Sequence, residues 1–250
     1  MAAQGSSPPI VLIPGIQGRW EWMTPAIRAL ERHHLVFTFS LGEARGPNLF
    51  DAWMSRIDAL LDAGAHRQAA LVGVSFGGLV ALWYAANRPD RVSNLVLVAS
   101  PSPRWTLDVR LARYVRHPRL SLPLFALGTV RRLTPELAAA MPGIGKRTRF
   151  VGEYGLRALR YPASPRQMAG FVGAWQQTDL ASAAGRVKAR TLIITGEDGL
   201  DRVVAVSSTK EYLSLIPGAA HVTLSGTGHI GCVSKPREFA ALVTDFIDAR

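Results

Sequence analysis

The chain has 250 residues, 48% of them hydrophobic and 19% charged, with a net charge of +11. That balance supports a buried core and excludes disordered and fibrous chains, and no apolar run reaches the roughly 18 residues that a bilayer span needs. A single cysteine, Cys232, excludes an internal disulfide, and no Cys/His cluster stands at metal-ligand spacing, so neither a metal nor a cofactor is expected.

Met1 to Pro9 is polar, with neither a basic nor an apolar leader region, and the expected location is the cytoplasm. The first buried-strand pattern, Ile10 to Ile13, runs into Pro14-Gly15-Ile16-Gln17-Gly18. A helical pattern follows over about Pro25 to Arg32, then a strand at Leu35 to Phe39 and a helix at Leu49 to Asp62. The strand at Ala69 to Val74 leads directly into an apolar helix, Phe76 to Asn87, and a fourth strand covers Leu95 to Ala99. After a long interruption come strands at Thr191 to Thr195 and His221 to Leu224, with helices at Ser207 to Leu215 and Pro236 to Ala249. Short apolar runs alternating with helices imply an α/β fold: a mostly parallel, doubly wound sheet of about six strands with helices on both faces.

Residues 101–177 break that rhythm. They open on Ser100-Pro101-Ser102-Pro103, carry Arg-rich helical patterns such as Leu107 to Val115, and contain no buried-strand pattern. This segment has 13 Lys/Arg against 3 Asp/Glu, whereas residues 1–100 have 8 against 7 and residues 178–250 have 8 against 8. The composition shift marks residues 1–100 and 178–250 as the core and 101–177 as an inserted helical cap, with the core resuming near Thr178-Asp179-Leu180. The arginines are dispersed along helical patterns without interleaved aromatics. A solvated surface or attraction for anionic substrates is the expected reading, and no nucleic-acid partner is expected.

In an open parallel sheet, chemistry collects at the carboxyl ends of the strands. After the third strand stands Gly73-Val74-Ser75-Phe76-Gly77, a G-x-S-x-G between strand and helix. Small residues on either side of Ser75 allow the sharp turn that would hold its hydroxyl at the sheet edge, above a helix N-terminus. A serine hydroxyl needs a base held by a third group. Of six histidines, only His229 follows the last strand in a glycine-rich loop, Gly226-Thr227-Gly228-His229-Ile230-Gly231. After the fifth strand comes Gly196-Glu197-Asp198-Gly199-Leu200-Asp201, from which one acid should orient the imidazole.

Serine, acid and histidine in this order, each at a strand end, resemble the α/β-hydrolase fold family over both flanking segments. In that family the acid loop often reads G-x-x-D-x-x-x-P; here Ala205 takes the proline position, which favours Asp201 over Asp198. The resemblance implies an oxyanion hole made by the backbone N–H groups of Phe76 and Ile16, with Gln17 adjacent, and Pro14-Gly15 standing where many relatives have His-Gly. It also makes the insertion a lid that shapes the substrate pocket. Trp20, Trp22, Trp105 and Trp175 lie near the oxyanion loop or in that lid, and Trp20, Trp105, Trp175 and Gln17 are the candidate pocket residues. The implied activity is a serine esterase acting on a small-molecule acyl substrate. Thioester, lactone or carbon–carbon hydrolysis and acyl transfer use the same three residues, and a non-catalytic ligand-binding protein of the same fold is the alternative of another class.

Overall fold

The computed structural model describes residues 7–44, 46–106 and 109–249. Most of the polar N-terminal stretch and the first two residues of the Leu107 to Val115 pattern lie outside them.

The six expected strands form one wholly parallel sheet. They are β1 (Ile10–Ile13), β2 (Val36–Thr38), β3 (Ala69–Val74), β4 (Val92–Val98), β5 (Arg190–Thr195) and β6 (Ala220–Thr223), in spatial order β2-β1-β3-β4-β5-β6. The chain therefore winds outward from β1 to β2, then returns across it to β3 and continues the other way. The switch of direction falls between β1 and β3, where such sheets leave a crevice at the strand carboxyl ends.

Strand alternation separates two apolar layers. Val11, Ile13, Leu71, Leu95, Leu97 and Ile193 face one way, against α2 (Leu49–Ala63), α3 (Phe76–Asn87) and α8 (Leu180–Ala184). Ile10, Leu12, Val72, Val96 and Ile194 face the other, against α1 (Thr24–Leu30), the short α11 (Gly231–Ser234) and α12 (Pro236–Asp248). Because both faces are covered, the central strands read as continuous apolar runs. Burying one such Leu or Ile side chain contributes roughly 1.5–3 kcal/mol.

Three elements differ from the sequence expectation. β4 begins at Val92 rather than Leu95, because Val92 and Asn94 pair with Ala69 and Ala70 across a register shift, and main-chain pairing in a central strand outweighs the polarity of Ser93 and Asn94. The helix expected over Ser207 to Leu215 is two short helices, α9 (Val206–Lys210) and α10 (Tyr212–Leu215), meeting at Glu211. The Tyr212 hydroxyl donates to the Pro101 carbonyl at 2.8 Å, in full burial. The helix α11, directly after His229, has no counterpart in the expectation.

The described residues of the insertion form four helices and no strand. They are α4 (Val109–Arg116), α5 (Pro118–Ala140), α6 (Ile144–Arg160) and α7 (Pro165–Gln176). Phe171 and Trp175 of α7 are buried in the layer that covers α3, so the insertion shares its base with the core. α6 is tied differently: the Trp22 indole N–H donates to the Tyr161 carbonyl at 3.0 Å, and the Tyr154 hydroxyl donates to the Trp22 carbonyl at 2.6 Å. No described helix is long and apolar enough to cross a membrane.

Candidate active site

Ser75 ends β3 and caps α3 with φ 53° and ψ −122°, a conformation that non-glycine residues rarely hold. The turn is possible because the residues two before and two after Ser75, Gly73 and Gly77, lack side chains. A Cβ on Gly73 would lie 2.5 Å from the Gly77 carbonyl oxygen and from the Gly78 Cα, and one on Gly77 would press into the carbonyls of Ile13 and Pro14. Strand, turn and helix thus pass at backbone contact, and Ser75 is held by the donation of its N–H to the Val98 carbonyl at 2.8 Å.

Three loops meet at the serine. His229 Nε2 lies 3.1 Å from Ser75 Oγ, and Nδ1 lies 3.3 Å from Asp201 Oδ2. The other Asp201 oxygen accepts from the N–H groups of Val203 and Val204 at 3.0 and 2.9 Å. A carboxylate fixed by main-chain donors and aimed at Nδ1 favours the tautomer that leaves Nε2 free to accept the serine proton. The Asp201 side chain is 1% exposed and that of His229 12%, so the pair is nearly water-free but open at the imidazole. Asp198 is exposed, and the structure brings Asp201 rather than Asp198 to the histidine.

What lets the acid and histidine loops meet is a second close backbone approach. A Cβ on Gly196 would lie 2.5 Å from the Gly228 Cα, and one on Gly228 would lie 2.5 Å from the Leu200 carbonyl oxygen. Glu197 closes the crossing by accepting the Gly226 N–H at 2.6 Å.

The loop after β1 crosses the start of α3, where an added Gly15 Cβ would lie 3.5 Å from the Ser75 Cβ and 3.2 Å from the Gln17 side-chain oxygen. Ile16 and Gln17, both half-buried, therefore stand beside the serine. Phe76 is the first residue of α3, so its N–H has no carbonyl behind it in the helix. Its ring, 2% exposed, stacks on Phe171 at 5.9 Å.

Neither Ser75 nor His229 lines the cavity beside Trp105 and Trp175. Trp105 and Trp175 stack at 5.0 Å between centroids and line a cavity of about 270 Å³ with Pro103, Arg104, Thr106, Gln176 and Thr178. Trp175 also meets the Phe76 ring edge-on at 6.3 Å, which makes it part of the packing behind the serine. Trp20 is 37% exposed, in a short 3₁₀ turn ahead of α1. Among the other histidines, His221 pairs with the Thr195 hydroxyl across β5 and β6, and His66 packs edge-on against Phe37. Burial and then Lys210 hold His221 below the usual histidine range. Cys232 is buried, and desolvation pushes its thiol up to about 12.

Sequence reasoning missed Glu136. It lies on α5, is fully buried, and its Oε1 accepts the Ile230 N–H at 2.9 Å. Desolvation pushes its carboxyl up to about 7, against the opposing pull of the Gly228 N–H, the His229 charge and the Ile230 N–H. The one sequence sign was a lone acid at the end of an Arg-rich cap helix.

Known proteins agree with this architecture. A family profile described as alpha/beta hydrolase fold matches residues 8–236. A 2-hydroxymuconate semialdehyde hydrolase of Pseudomonas sp. (strain CF600) is 29% identical, over 97% of this chain and 88% of the relative. A pimeloyl-[acyl-carrier protein] methyl ester esterase of Vibrio vulnificus (strain YJ016) is 25% identical, over 97% of this chain and 95% of the relative. The crystal structure of a hydrolase from Pseudomonas aeruginosa PA01 superposes with a TM-score of 0.76 at 26% identity, covering 99% of this chain and 92% of that one. With the profile spanning nearly the whole chain and the sheet, strand order and serine turn in place, the chain belongs to the α/β-hydrolase fold family.

Proposed function

We propose that this chain is a serine hydrolase that cleaves carboxylic esters of small molecules through an acyl-enzyme, with Ser75, His229 and Asp201 as its catalytic residues. The observation that carries the reading is the continuous line from Ser75 Oγ through the imidazole to the buried Asp201 carboxylate, at 3.1 and 3.3 Å. His229 Nε2 takes the Oγ proton as Oγ attacks the ester carbonyl carbon. Asp201 holds the imidazole and balances its positive charge. The N–H groups of Phe76 and Ile16 receive the oxyanion, preorganised by the helix start and by the loop after β1. His229 then protonates the departing alkoxide. A water molecule, deprotonated by the same nitrogen, attacks the acyl carbon and releases the acid and free Ser75.

In this reading residues 1–100 and 178–250 supply the machinery, and the cap, 101–177, shapes the space for the acyl and alcohol groups. Gln17, beside Gly15, is the polar residue that this reading puts at the reacting carbonyl. Trp105 and Trp175 support Phe76 from behind and bound a separate cavity.

A second reading keeps the same residues and changes the leaving group to that of a lactone or of a carbon–carbon bond next to a ketone. The relative named a 2-hydroxymuconate semialdehyde hydrolase favours it. One experiment tests both: turnover of p-nitrophenyl esters, lactones and a 1,5-diketone by wild type and Ser75→Ala. Ester turnover lost in the variant supports the first reading. Ser75-dependent turnover confined to lactones or the diketone transfers the assignment to the second, and ligand binding without any turnover returns the fold to a binding protein.

A further inference from the structure

Glu136 is a carboxylic acid delivered by a cap helix into a loop of the core. Its Oε1 accepts the Ile230 N–H at 2.9 Å, and the Gly228 N–H also acts on the carboxylate. These are the main-chain donors on either side of His229. Its Oε2 is buried and has no hydrogen-bond partner among the described residues. A buried carboxylate with one oxygen unsatisfied is costly unless the group serves its neighbours, since leaving such an atom unpaired forfeits its hydration.

We propose that Glu136 is a positioning residue of the site, which holds the main chain beside His229 through the Ile230 N–H and puts an ionisable group next to its imidazole. The cap then completes the proton relay as well as the pocket. This rests on the reading of His229 as the base of Ser75. The charged and titratable groups around Glu136 come from several elements. His229 and Asp201 face it from the loops after β6 and β5, and Cys232 faces it from α11. On the helices packed against α5, Tyr114 of α4 is buried with its hydroxyl on the Met168 sulfur of α7, while Arg113, Arg116 and Arg166 are exposed. Among these, the His229 charge acts directly on the Glu136 carboxyl. The protons on the two groups are consequently coupled.

Glu136→Gln separates grip from charge. The amide oxygen still accepts the Ile230 N–H, and the ionisable group is gone. The His229 ring is followed by NMR from pH 4 to 9 in wild type and in Glu136→Gln. The expected result is that the ring titration of Glu136→Gln differs from that of wild type, because the neighbouring carboxyl no longer ionises beside it. The acid limb of kcat/KM should move with it. Glu136→Ala removes the grip as well, and kcat should fall by about tenfold or more with KM nearly unchanged, counted per Ser75 that reacts with a fluorophosphonate. Identical ring titrations in wild type and Glu136→Gln overturn the proposal, as does an Ala variant whose kcat per reactive serine matches wild type. A wild-type chain that neither reacts with the probe nor turns over an acyl substrate removes the hydrolase reading instead, and the ring titration still decides Glu136.

Discussion

Ser75 occupies a backbone conformation that costs on the order of 1–3 kcal/mol, and the surrounding main-chain contacts are what hold it there. The strained strand-to-helix turn was legible because Gly73 and Gly77 stand at fixed spacing around Ser75, although the backbone that requires Gly77 to lack a side chain is that of Ile13 and Pro14. Replacing Ser75 by Ala should abolish fluorophosphonate labelling and lower kcat by at least about 10³-fold while the thermal midpoint stays level or rises; intact-mass spectrometry and kinetics read both. The acid was ambiguous, since Asp198 and Asp201 stand three residues apart in one loop. Burial and the Val203 and Val204 donors single out Asp201. Asp201→Asn should lower kcat by on the order of 10³–10⁴, because the amide stabilises the wrong tautomer, and Asp198→Asn should stay within about twofold of wild type. Equal losses in the two variants would contradict the assignment.

At the scale of elements, the site is made by loops that meet because glycine lets their backbones touch. The crossing of Gly196 over Gly228 brings the loops of Asp201 and His229 together. Gly196→Ala places a Cβ against immobile backbone and should lower stability by about 1–3 kcal/mol, read from the urea midpoint, with a loss of kcat that refolding does not restore. The helix α6 of the insertion is tied to the start of the chain through Trp22, whose indole N–H reaches the Tyr161 carbonyl. Trp22→Phe keeps the ring and removes the donor. It should cost about 1 kcal/mol or less and speed amide exchange along α6 relative to the sheet, as hydrogen–deuterium exchange would show. Trp20, Trp105 and Trp175 had looked alike in the sequence as pocket candidates. Packing separates them, because an aromatic side chain buries wherever a partner surface exists, and composition does not name that surface.

For the whole molecule, Glu136 links function to stability. Burial raises its carboxyl from the ordinary 4.5 to about 7 in the folded chain. Between those values the folded state holds a proton that the unfolded state has released, so stability falls as pH rises across that window and levels off above it. The loss is on the order of 2–3 kcal/mol. Urea unfolding at pH 5 and pH 8 should show wild type losing this amount relative to Glu136→Gln, and parallel behaviour of the two chains would contradict it. The sequence by itself determined the parallel sheet, the strand ends that bear Ser75 and His229, the serine turn and the helical insertion. Each of these is set by apolar period or backbone sterics among neighbouring residues, which a short window contains. Only the tertiary structure decided which of Asp198 and Asp201 reaches His229, that Ser75 does not line the Trp105–Trp175 cavity, and the approach of Glu136 to a loop 94 residues away. Those outcomes depend on how distant segments pack and on which charges packing removes from water, and no local pattern encodes either.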